Sequence, residues 1–301
     1  MALAAAATVL LAAANAAALV QMPPQFPQLQ GRTLSAVLSG TAATSASAPG
    51  RRQQLYLVEG WRADAVAWAT LRSAIATTGF SRLEVQSCPQ FDGGLQAFGA
   101  GLVEGALTQG YIYNHTASVW PGFFGTELGR TPMNISAFVL RSDSWARAQA
   151  AMGGQEGGKE SPAYWRSVEY ALAQLDGLIE GYNRTAPPNQ ALTRLELLIH
   201  NLVGDLGEIV GALDAVPSAS EGGINTGPRR RKITRCSALV KPTADDIFIS
   251  QVDWDDFDVM IKFIKDYTLP FEPETSAATR VRFSSYPGLI CECHCPNNLR
   301  S

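Results

Sequence analysis

The stretch ITRCSALVKPTADDIFISQVDWDDFDVMIKFIKDY, residues 233–267, decides how the rest of the chain is read. Two β-rich runs, 236–240 and 247–252, flank Lys241-Pro242-Thr243-Ala244-Asp245-Asp246, whose proline and paired aspartates favour a turn, so the spacing predicts a hairpin. A helix is expected next. Asp253 is placed to cap it, and Asp255, Asp256 and Asp258 load its first turn. Trp254, Phe257, Ile261 and Ile264 recur at helical spacing, with Lys262 and Lys265 toward the end. The local reading is strand, turn, strand, helix, with Cys236 at the head of the first strand.

Upstream, the chain reads as structured from Gln54. A strand is expected over 54–58, a helix over 62–75 and a strand over 83–87. Residues 97–110 read as a helix whose Gly99, Ala100, Gly101, Gly105 and Ala106 would permit close packing against a sheet, with Glu104 expected as a solvated or capping carboxylate, the alternative being a catalytic one. Two long amphipathic helices follow. Ser161 and Pro162 open the first, and Trp165, Val168, Leu172, Leu175, Leu178 and Ile179 form its apolar stripe. The second is expected over 193–213, with His200 a packed or hydrogen-bonded residue and Asp205 either structural or a support behind a site.

Composition sets the frame. A chain of 301 residues with a formal charge of −3 gives no reason to expect a nucleic-acid partner, because phosphate binding needs a concentrated basic face. The alanine-rich run over 2–20, with small residues around Ala14-Asn15-Ala16, reads as a signal peptide over 1–18, the alternative being a membrane anchor. Residues 19–53, rich in Pro, Gln, Ser, Thr and Ala, read as a disordered linker or pro-segment. The sequons at Asn114, Asn134 and Asn183 add glycosylation sites, which together with a signal point to the secreted or lysosomal lumen. Residues 218–231 read as an exposed, protease-sensitive loop ending in Arg229-Arg230-Arg231-Lys232, immediately before Cys236.

Several segments resemble one known family in the same order along the chain. They are TGFSRLEVQ (78–86), AFGAGLVEGALTQGYIYNH (97–115), YWRSVEYALAQLDGLIEGYN (164–183), GDLGEIVGALD (204–214), RCSALVKP (235–242), MIKFIKDY (260–267) and VRFSSYPG (281–288). With Trp254 they resemble the phospholipase B-like family of N-terminal nucleophile hydrolases. The resemblance implies an α/β (α+β) fold, a four-layer αββα sandwich of two packed antiparallel sheets between helices, here incomplete at its C-terminal side. It also implies a domain over 54–290, divided into an N-terminal fragment (54–235) and the start of a nucleophile-bearing fragment (236–290), followed by an atypical tail over 291–301.

The chemistry implied by the resemblance centres on Cys236. Cleavage between Arg235 and Cys236 would free an α-amino group, whose ordinary pKa of about 8 lets it act as the base for the adjacent thiol. The expected reaction is hydrolysis of fatty-acyl esters of glycerophospholipids, with Gln251 and Trp254 lining the site. Gln251 stands where the family often carries histidine; it can orient or polarise a carbonyl but cannot titrate. The resemblance stops near Gly288, before the family's later strands and the asparagine and arginine that line its site. The same mechanism would serve an amidase of N-acyl substrates, and a catalytically inactive lipid-binding fragment is a third reading. Phospholipid or another acyl lipid is the expected partner, with transient membrane-surface contact. No metal or organic cofactor is implied, and Cys291-Glu292-Cys293-His294-Cys295 is spaced too tightly for an ordinary structural zinc site.

Overall fold

The computed structural model describes residues 31–38, 54–153, 161–214, 237–244, 247–252, 257–276 and 278–290. The chain is α+β. A six-stranded mixed sheet has the order β2-β1-β3-β4-β7-β8, built from β1 (Arg32–Leu38), β2 (Leu55–Glu59), β3 (Ala65–Arg72), β4 (Phe80–Ser87), β7 (Lys262–Thr268) and β8 (Arg280–Ser285). Its neighbours are antiparallel except β4 and β7, which run parallel from the Phe80–Lys262 pair to Gln86–Thr268. A separate two-stranded sheet pairs β5 (Ser237–Pro242) with β6 (Ile247–Val252). Among the described residues these are the two sheets, so the expected pair of fully antiparallel layers is seen as one large mixed sheet and one hairpin.

Three expectations are corrected here. The stretch 62–75 is not helical: β3 occupies its middle and lies at the interior of the sheet, with Ala65, Val66, Ala67, Trp68, Ala69 and Leu71 all buried. Burial on both faces gives β3 a continuous apolar run that mimics a helix in sequence. Nor is all of 19–53 a linker, because Arg32–Leu38 forms β1 between β2 and β3, with Leu34, Ser35, Ala36 and Val37 buried. The helix expected after the hairpin is also absent over its second half: a single 3-10 turn at Phe257–Val259 leads straight into β7. Phe263, Lys265 and Tyr267 alternate with Ile264 and Asp266, and that period of two prevails over the apparent helical spacing.

A long helix, α2 (Gly93–Phe124), lies across β1, β3 and β4. It follows the short α1 (Ile75–Thr78) and β4; the Asp92 side chain accepts from the Leu95 amide, and Gly125 ends it in the left-handed conformation at φ 64°. Only one of its glycines meets the sheet: a Cβ on Gly99 would lie 3.2 Å from Ala67. Gly101 and Gly105 instead face α4 (Pro162–Thr185), where a Cβ would overlap the carbonyl oxygens of Gln174 and Leu178. Gly177 and Gly181 of α4 reciprocate against Phe98 and Leu102, so the two backbones approach with no side chain between them. The small-residue helix therefore packs closely against a helix more than against the sheet.

The remaining helices close one end of α2. Ser161 caps α4 through its hydroxyl, with Pro162 in the first turn as expected. The second long helix is broken into α5 (Arg194–Asn201) and α6 (Leu206–Asp214), with Gly204 in the break. Trp120 and Phe124 pack there with Ile135 and Val139 of α3 (Met133–Ala151), and with Leu198, Ile199 and Leu206. Arg147 and Arg194 each bind both Asp143 and Asp176, tying α3, α4 and α5 together.

Candidate active site

The hairpin carrying the candidate site is placed by register. Ser237, next in the chain to Cys236, pairs with Val252, and Ala238 pairs with Gln251. Gln251 therefore stands on the strand facing the one that begins beside Cys236. Cys236, Arg235, Trp254 and the tail cysteines lie outside the described residues. The hairpin is held at arm's length from the core, with Leu239, Val240, Phe248 and Val252 about half exposed or more. Its tether is Val259, which is buried against Val119, Tyr286 and Leu289.

The strand after that tether brings a charged centre into the interior. Lys265 Nζ donates to Glu104 Oε1 at 2.8 Å and to the Leu289 carbonyl, while Tyr267 Oη donates to Glu104 Oε2 at 2.5 Å. Lys265 and Glu104 are wholly buried. Glu104 is thus neither solvated nor a cap; it joins the middle of α2 to β7. The sequence conceals this centre because Lys265 falls at the end of the expected helix. The signal was the Phe263, Lys265, Tyr267 alternation, which directs all three to the side of the sheet that α2 covers.

Beside it lies a buried histidine pair. His200 Nε2 is 2.8 Å from the Pro287 carbonyl and must carry the proton there, leaving Nδ1 to accept from the Thr116 hydroxyl at 2.9 Å. His115 stacks on Tyr286 at 5.0 Å and meets His200 edge-on at 5.4 Å. Burial pushes His200 down to about 4, the Lys265 charge acts in the same direction, and the hydrogen bond to Pro287 opposes both. His200 is therefore a packed, hydrogen-bonded and neutral residue, and Asp205 is an exposed residue whose carbonyl accepts from the Ile209 amide. Closed off from solvent, these groups fix the Tyr286-Pro287-Gly288-Leu289 segment against α2 and α5. They cannot touch a lipid ester.

The three candidate glycosylation asparagines are exposed, on α2, α3 and α4 respectively. Thr116 of the first sequon is buried, with its hydroxyl against His200, so modification of Asn114 would have to precede folding. Among the described residues no group of three or more His, Cys, Asp or Glu is placed to hold a metal, and no helix is long and apolar enough to cross a membrane.

A family model described as Phospholipase B matches residues 67–293, which take in α2, the hairpin and the buried centre. The human protein "Putative phospholipase B-like 2" is 33% identical over 257 residues, covering 80% of this chain and 40% of that protein. "Phospholipase B-like protein E" of Dictyostelium discoideum is 29% identical over 236 residues, and "Phospholipase B-like 1" of Bos taurus is 25% identical over 232, again with 40% of each covered. The chain spans about two fifths of the length of these relatives. A match that runs through most of the sheet, α2 and the hairpin shows that this chain belongs to the phospholipase B family.

Proposed function

We propose that the chain is the nucleophile-bearing portion of an acyl hydrolase that cleaves fatty-acyl esters of glycerophospholipids. The observation that carries this reading is the family match across residues 67–293, within which Cys236 immediately precedes the first strand of an exposed hairpin. Scission of the Arg235–Cys236 bond would make Cys236 the first residue of a new chain. Its α-amino group then takes the thiol proton, and the thiolate attacks the ester carbonyl. The ammonium returns that proton to the departing glycerol oxygen as the thioester forms. The amine next draws a proton from water, hydroxide adds to the thioester, and the fatty acid leaves as the thiol is restored. Gln251, on the facing strand, would hydrogen-bond the substrate without exchanging a proton.

In this reading residues 1–18 direct the chain into the secretory pathway, and the protein works, glycosylated, in the secreted or lysosomal lumen. The test is the intact mass and N-terminal sequence of chain secreted from a eukaryotic host, after glycan removal, beside Cys236→Ala. A fragment beginning at Cys236 in the parent and absent from the variant supports the mechanism. An uncut parent, or identical cutting within 229–232 in both proteins, refutes it.

A further inference from the structure

The face of the six-stranded sheet turned away from α2 carries polar side chains that the site described above does not use. On β7 this face holds Ile264, Asp266 and Thr268, which alternate with the Phe263, Lys265 and Tyr267 that α2 covers. Register sets Gln86 of β4, Thr268 and Arg280 of β8 side by side, with Glu84, Asp266 and Arg282 in the next row. Gln86 and Thr268 are half-buried, and among the described residues their side chains have no hydrogen-bond partner. The candidate glycan asparagines lie on α2, α3 and α4, so none stands on this face.

Two arginines are fixed at the outer end of these rows. Arg280 and Arg282 each donate Nε and Nη2 to the buried Asp266 carboxylate, and both Nη2 groups reach the same oxygen, Oδ2, at 2.7 and 2.6 Å. Their side chains are still 61% and 62% exposed, and among the described residues neither Nη1 group is bonded. One carboxylate thus holds two guanidinium groups together while balancing the charge of one. Glu84, the other carboxylate that acts on Arg280, is engaged by Arg72 at 2.6 Å. Arg82 adds charge of the same sign: it is exposed on this face two residues before Glu84, and among the described residues it has no ion pair.

We infer that this end of the sheet binds a phosphate ester of a small polyol. Phosphate oxygens accept from the outward N–H groups of both arginines in charge-assisted bonds, and their shared grip on Asp266 sets the spacing in advance. The Gln86 amide and the Thr268 hydroxyl can each donate and accept, which suits the hydroxyl groups of the alcohol. Cross-strand neighbours stand about 5 Å apart, so one small ester spans the row. The site is separate from the hairpin. Arg280 pairs with Thr268 at the far end of β7, about 20 Å along the strand from Lys262, where the hairpin's tether enters. It therefore stands whether or not Cys236 is a nucleophile.

The test is isothermal titration calorimetry of the secreted, glycosylated protein with glycerol 3-phosphate, inorganic phosphate and glycerol at low salt. Glycerol 3-phosphate should bind with a Kd of about 1 mM or tighter, inorganic phosphate about tenfold more weakly, and glycerol not at all. Arg280→Gln and Arg282→Gln should each weaken the ester by about fivefold or more, whereas Arg62→Gln, at an exposed ion pair elsewhere, should leave it unchanged. Gln86→Leu/Thr268→Val should bring the ester down to the level of inorganic phosphate. An unchanged thermal midpoint verifies that each variant is folded, and the parent's ranking of the three probes tests the inference even where one is not. Displacement of the ester by phosphatidic acid vesicles identifies a lipid headgroup as its source, and persistence identifies a free ester; either upholds the site. No binding by the parent, equal binding of ester and inorganic phosphate, or binding indifferent to both arginines overturns the inference.

Discussion

Replacing Lys265 by methionine tests the buried centre directly. Methionine keeps the length and much of the volume of lysine but removes its charge. The Glu104 carboxylate, wholly buried, then keeps Tyr267 and loses Lys265, and the Leu289 carbonyl loses its donor. Removing one partner of a buried pair strands the other and costs about 3–5 kcal/mol, with the unmet carbonyl adding about 1–3 kcal/mol. Such a loss is large against the usual stability of roughly 5–15 kcal/mol. The assay is urea unfolding of the parent, Lys265→Met, Glu104→Leu and the double variant. Because both singles leave a charge stranded and the double leaves none, the double should lose about 3 kcal/mol less than the sum of the two. A Lys265→Met protein within about 1 kcal/mol of the parent, with a double variant that is simply additive, would refute the assignment of a charged, desolvated pair.

Stability should also fall on acidification through His200. Its folded pKa of about 4 lies below the ordinary 6.5, so as pH drops below 6.5 the unfolded chain takes up the proton first and folding weakens until about pH 4. The full loss is about 3 kcal/mol, of which about 2 kcal/mol is reached at pH 5; His200→Gln should flatten that part of the stability–pH curve, and an unchanged slope would count against it. Gly105→Ala should cost about 3 kcal/mol or more by forcing α2 off α4, whereas Gly110→Ala on the same helix, with open space around it, should gain up to about 1 kcal/mol; thermal unfolding of the two gives opposite signs. Ser161→Ala should remove the cap of α4 and about 1 kcal/mol, measured the same way.

The hairpin at 237–252, strands β2 and β4, and the cap of α4 were legible in the sequence because local chemistry specifies them, whereas the expected stripe of α4 shares only Trp165 and Leu178 with its buried face, which Tyr170, Gln174, Gly177, Gly181 and Tyr182 complete. A proline and paired aspartates between two β-rich runs signal a hairpin in the sequence, and Ser161-Pro162 signals a helix start. What was not legible depended on distant partners. Ala65–Arg72 is alanine-rich and apolar throughout, and only its position between β1 and β4 makes it a strand. Lys262–Thr268 follows a run of aspartates that imitates a helix start, and its two-residue alternation matters only once β4 and β8 flank it. Glu104 looked like a surface residue because its partners lie 161 and 163 positions away. For the candidate site, the structure gives the pairing of Ala238 with Gln251, and the role of each side chain there rests on the proposed chemistry.

The parallel neighbours β4 and β7 have a consequence for a chain cut between α6 and β5. Every strand before the cut is already in the sheet, and β7 and β8 complete one edge of it from the far side of the cut. The two pieces would share a ladder of backbone hydrogen bonds, the Lys265–Glu104 pair, and the bonds from Tyr170 to Glu272 and from Ser167 to the Thr275 carbonyl. Scission would therefore relieve a covalent constraint without parting the molecule. On a denaturing gel it would be two polypeptides; in native solution it would migrate as one particle, and separating the halves would require unfolding the sheet.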